Sequence, residues 1–197
     1  MRIWNKFFGK KPAKKSEKSP YFPSIEDPVD LSFVKNFTAN GGLFLYNESL
    51  ALVQSNFMQI CIENNWEKNE IVSLNKAISQ HFGTHYIDQK SGKLSHFKAV
   101  LIHCEYLIGN TGKILLSKHQ INHFKVKDLP QTIIVSAKIN QLTRDVSQGM
   151  TLLKNKYLKD IPTNITTLNI ESARSSDIKD QSTQTSTKNI YLLLEDF

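Results

Sequence analysis

The sequence predicts an α/β domain with a mostly parallel sheet flanked by helices, and three observations carry that prediction. From Pro28 onward, short apolar runs alternate with longer stretches whose apolar residues recur at helical spacing. Residues 133–137 and 190–194 are almost continuously apolar, as strands buried on both faces of a parallel sheet must be. The hydrophobic share of 40% over 197 residues suffices for one core.

Taken in order, residues 1–27 have the composition of a flexible leader, with Trp4, Phe7 and Phe8 followed by a Lys/Ser/Pro tract. Seven basic residues stand against Glu17 in positions 1–18, which leaves 18 basic and 17 acidic residues in the rest of a chain whose net charge is +7. A nucleic-acid-binding domain carries its basic face on the folded part, so this distribution argues against a nucleic-acid partner. From residue 28 the pattern is that of the folded domain. Asp30 suits the start of a helix over residues 31–40, which Gly41 and Gly42 stop. Residues 43–46 read as a strand, and Ser49 as the cap of a helix reaching about Asn64. Residues 71–74 and 84–87 read as short strands around a helical stretch at 75–82. Residues 97–103 form another apolar run, and 118–128 a surface loop or short helix. Pro130 favours an extended start for the strand that ends at Ala137. The apolar rhythm of residues 138–159 predicts the longest helix, ended by Pro162, and residues 164–170 a further strand. Residues 172–188 have the composition of a long polar loop before the last strand.

Between residues 104 and 117, two apolar runs, 106–108 and 114–116, flank a polar turn in which Asn110-Thr111-Gly112 can supply positive φ. The local prediction is strand, tight turn, strand. The wording of this stretch is an acid, Glu105, then an apolar pair, a small residue and Thr111-Gly112 before an apolar strand. Downstream come Leu129-Pro130, the strand at 133–137, a helix, Arg174-Ser175-Ser176-Asp177-Ile178 and the terminal strand at 190–194. This ordered set resembles the LUD-domain family, in particular its small "C" type of lactate-utilisation protein. The resemblance covers roughly the second half of the chain, and the first half in outline. The family's Gly-Pro opening of the arginine loop is replaced here by Glu171-Ser172. Its later Gly-x-His-Gly-Pro element is replaced by Gln184-Thr185-Ser186-Thr187.

The resemblance implies a fold similar to the superfold of ribose-phosphate isomerases and coenzyme-A transferases, to which formyltetrahydrofolate cyclo-ligases are also related. It implies association with oxidation of L-lactate to pyruvate beside iron–sulfur redox partner proteins. The expected role is an accessory or regulatory subunit of such a system. Two alternatives stay open. One is a small enzyme acting on a phosphorylated or carboxylate metabolite; the other is a non-catalytic peripheral binding protein held by its basic aromatic leader.

The expected anion-binding residues are Glu105, Thr111, Gly112, Arg174, Ser175 and Asp177, brought to one cleft at the ends of central strands. Glu105 reads first as a structural ion pair, because a carboxylate inside an apolar sequence needs a partner. His103 and Cys104 point to opposite faces if they share a strand, which argues against a nucleophile and base pair. His119 and His123 are four apart, a spacing that shares one face of a helix, but the pair reads as surface histidines and no metal is expected. Two cysteines, Cys61 and Cys104, read as buried free thiols and cannot supply the four thiolates of an iron–sulfur cluster. No cofactor is expected. No apolar run is long enough for a membrane span, so the cytoplasm is the default location.

Overall fold

A computed structural model describes residues 27–88, 93–158, 160–168, 170 and 188–197. The expected leader, apart from Asp27, and nearly all of the expected polar loop lie outside the described residues. In chain order the elements are α1 Val29–Ala39, β1 Leu43–Asn47, α2 Leu50–Asn64, β2 Ile71–Ser73, α3 Lys76–Phe82, β3 His85–Tyr86, β4 Ala99–His103, β5 Tyr106–Ile108, β6 Lys113–Leu116, α4 Lys118–Ile121, β7 Thr132–Lys138, β8 Leu142–Thr143, α5 Val146–Tyr157, β9 Thr166–Leu168 and β10 Asn189–Glu195.

The expected α/β architecture is what forms. Six strands make a parallel sheet in the order β1-β10-β7-β4-β2-β3. The strands read as buried on both faces, β7 and β10, are interior, and their residues alternate between two cores. Ile133, Val135, Leu192 and Leu194 face a core shared with Phe33, Val34 and Phe37 of α1. Ile134 and Leu193 face the other, filled by Val53, Phe57 and Ile60 of α2 and by Ile78 and Phe82 of α3. Each such fully buried side chain contributes roughly 1.5–3 kcal/mol relative to leaving it in water.

A second, four-stranded sheet in the order β8-β5-β6-β9 grows from the carboxyl ends of β4 and β7. Strand periodicity again sets its two sides. Leu107, Ile114, Leu116 and Leu168 pack into the α1 core, while Ile108 and Leu115 meet Leu153 of α5.

Three elements differ from the sequence reading. The helix expected over 138–159 begins at Val146, where Asp145 Oδ1 accepts the Gln148 N–H at 2.8 Å. Leu142 and Thr143 have left the helical rhythm because they pair with Leu107 and Ile108 in the small sheet. The longest described helix is therefore α2, capped as expected by Ser49. Helix α1 starts before Asp30, with Pro28 at its N-cap, and Asp30 instead accepts the Leu31 N–H at 2.8 Å. Finally, β9 is three residues long, short of the 164–170 expected.

Candidate functional site

Glu105 follows Cys104 at the start of the β5–β6 hairpin, and both residues are buried. Its N–H donates to the Leu115 carbonyl at 2.9 Å. Its side chain is fully enclosed and collects donors from two helices. Ser117 Oγ donates at 2.7 Å and Gln120 Nε2 at 3.0 Å, both to Oε1. Lys156 Nζ donates to Oε2 at 2.9 Å, and the Tyr157 hydroxyl lies 3.1 and 3.2 Å from the two oxygens. Burial alone pushes the Glu105 carboxyl up, but the donors, led by Lys156, outweigh it and hold it below the usual carboxylate range. On Lys156, desolvation works against the ammonium and is likewise overcome by Glu105, so its pKa is raised. The product is an ionised, donor-saturated carboxylate, which is a poor base. It ties the first turn of α4 to the last turn of α5, and fills the structural role expected of it.

The Thr111-Gly112 turn sits at the other end of the same hairpin. Its N–H groups are spent locally: Gly109 on the Thr143 carbonyl at 2.7 Å, Asn110 on Arg144 at 2.9 Å, and Thr111 and Gly112 on Ile108 at 3.4 and 2.8 Å. Its carbonyls are held from α1, where Asn36 Nδ2 donates to Gly109 at 2.8 Å and Asn40 Nδ2 to Thr111 at 3.0 Å. Gly112 has φ +68°, and a Cβ there would stand 2.4 Å from the backbone nitrogen of Phe37. The glycine is required because helix α1 lies directly on it. Glu105 and the turn thus face different neighbours, α4 and α5 for one and α1 for the other. Arg174, Ser175 and Asp177 lie outside the described residues. The Thr111 hydroxyl is buried with no hydrogen-bond partner among the described residues.

An open cleft of about 760 Å³ lies beside the Glu105 cluster, lined by Lys118, His119, Asn122, His123, Lys125, Thr163 and Asn164. The His119 ring stacks on Tyr157, with centroids 4.8 Å apart, so the buried cluster also fixes one wall of the cleft. A smaller cleft of about 380 Å³ runs past the turn, where Ser32, Gly109, Asn110 and Arg144 meet.

A family model described as "LUD domain" matches residues 68–194, well over half of the chain. The chain belongs to the LUD-domain family. The crystal structure of a DUF162 family protein from Deinococcus radiodurans superposes on this LUD chain with a TM-score of 0.61 at 13% identity, covering 86% of this chain and 96% of that one. At that identity the likeness establishes the fold. No curated protein matches the chain significantly.

The other sequence candidates of this LUD protein are also located. Cys61 and Cys104 are buried free thiols, as read, and burial pushes both thiols up, away from reactive thiolate. His103 is exposed, with Nδ1 3.1 Å from the Ser136 carbonyl, and Cys104, just past the end of β4, is buried. His119 and His123 are exposed, but α4 ends at Ile121 and Asn122 turns the chain with φ +54°, so they do not share a helical face. No helix among the described residues is long and apolar enough to cross a membrane. Sequence reasoning missed Lys156 and Tyr157, which reach Glu105 from 51 and 52 positions away. No local pattern announces such a contact. Ser117 and Gln120 were findable, since Ser-x-x-Gln before an apolar residue is a capping-box pattern, and both of its hydrogen bonds form.

Proposed function

We propose that this LUD protein is an accessory or regulatory subunit of an L-lactate utilisation system, in which lactate is oxidised to pyruvate beside iron–sulfur redox partner proteins. The observation that carries the reading is the family match over residues 68–194, since the family is associated with lactate utilisation. The use of Glu105 supports an accessory rather than a catalytic part. The acid of the signature stretch is consumed in joining two helices, with no lone pair left poised toward a substrate. The two buried cysteines support placing the redox centres on partner proteins. Within this role Arg174 and Ser175 are the residues proposed to meet a small carboxylate, with the guanidinium as its fork-shaped donor and Asp177 as the acid that orients it.

The test is genetic. Deleting the gene should stop or slow growth on L-lactate as carbon source while leaving growth on pyruvate intact, and the wild-type gene should restore it better than an Arg174→Ala copy. Normal growth of the deletion strain on L-lactate would sink the proposal.

A further inference from the structure

We propose that the cleft beside α4 is a binding site for a small phosphorylated ligand. Its lining combines Lys118, Lys125, His119 and His123 with side-chain amides, and no carboxylate lines it among the described residues. Asp128, the acid near Lys125 in the chain, accepts the Lys125 backbone N–H at 3.1 Å. The lining therefore offers donors and positive charge on one concave surface, the complement of a phosphate rather than of a cation.

A second observation points independently to a missing acceptor. Asn122 lines the cleft, and its Nδ2 is buried with no hydrogen-bond partner among the described residues. A buried amide donor is destabilising unless something accepts from it. The residue also holds φ +54° with ψ −124°, a conformation usually left to glycine. Turning the amide toward the cleft would let an acceptor bound there relieve the orphaned donor.

The size and charge of the site select the ligand. About 760 Å³ lies within the roughly 300–1,000 Å³ of small-molecule sites, and is far more than a three-carbon acid fills. Two lysines with two histidines beside them also exceed what a single carboxylate neutralises, whereas a phosphate ester or diphosphate carries two or more negative charges. One wall is already rigid, because His119 lies on Tyr157 and Tyr157 is held by Glu105. This inference is independent of the lactate reading, which concerns assembly and Arg174.

Isothermal titration of the full chain with inorganic pyrophosphate tests it, with L-lactate titrated in parallel. Saturable pyrophosphate binding is expected, weakened about tenfold or more in a Lys118→Ala/Lys125→Ala variant, the loss that follows removal of hydrogen bonds to a charged group. Asn122→Gly, which keeps the unusual backbone conformation while deleting the amide, should weaken it too. The thermal midpoint of the lysine variant should match the wild type, because neither lysine is buried, and Asn122→Gly should not lower it, because it removes an orphaned buried donor and suits the positive φ. No saturable binding by the wild type, or unchanged affinity in the double variant, overturns the site. Tighter binding of L-lactate than of pyrophosphate, lost in the same variant, overturns its assignment to phosphate. Growth on lactate and pyrophosphate binding are read separately, so either proposal can fail alone.

Discussion

Glu105 illustrates how one side chain changes meaning between sequence and structure. Its carboxyl is held below the ordinary glutamate range by its donors, against the opposing pull of burial. A group with a depressed native pKa adds stability above its unfolded value, and that stability is lost as pH falls through the native one. Urea unfolding followed from neutral to strongly acid pH should therefore show a Glu105→Gln variant less stable at neutral pH, with the gap to wild type closing on acidification. A gap that is constant with pH would show that the charge is not what stabilises the cluster. Gly112 makes the opposite point, since it invites a ligand-binding reading and is instead pressed under α1. Replacing it by Ala should cost about 2 kcal/mol or more, from positive-φ strain and a Cβ driven against the Phe37 backbone. Denaturant midpoints measure this directly, and an unchanged midpoint would mean that the helix is free to move aside.

At the scale of elements, the best-read parts of the chain were those whose own residues decide their structure. Ser49 and Gly41-Gly42 bound their helices wherever the rest of the chain lies, and the apolar runs of β7 and β10 can be satisfied only inside a sheet. The reading failed where a distant partner decides. Leu142 fits a helical rhythm equally well and becomes a strand only because Leu107 stands beside it. The same reason separates the legible from the illegible half of the Glu105 cluster. A buried acid and its need for a partner can be read locally, but Lys156 cannot be nominated before α5 is placed across the hairpin. Once the helix start is corrected, Asp145 acquires a defined task as its N-cap. Asp145→Ala should lower the thermal midpoint, because the Gln148 N–H then loses its cap. Hydrogen exchange should quicken first at Val146–Tyr157, whereas uniform loss of protection would argue against a local cap.

For the molecule as a whole, the two sheets and their helices form consecutive layers. The small sheet lies between the α1 core and α5, and it joins the two through opposite faces of the same short strands. This explains why the hairpin at 106–116 organises so much of the chain: Glu105 at one end holds α4 and α5, and the turn at the other end holds α1. The strand order has a further consequence for how such a chain matures. β10 lies between β1 and β7, so the strand formed from the latest described residues is an interior one. Asn47 donates to Leu194 across a separation of 147 positions. While the polypeptide emerges from the ribosome, β1 with its α2 crossover has no partner strand, and β7 presents an unpaired apolar flank until residues 189–195 arrive. Long-range parallel pairing of this kind is slow and leaves sheet edges exposed to neighbouring chains. The nascent chain thus passes through an interval in which β1 is complete but unpaired and β7 is paired only on its β4 side, and in that interval chaperone capture and aggregation compete for it.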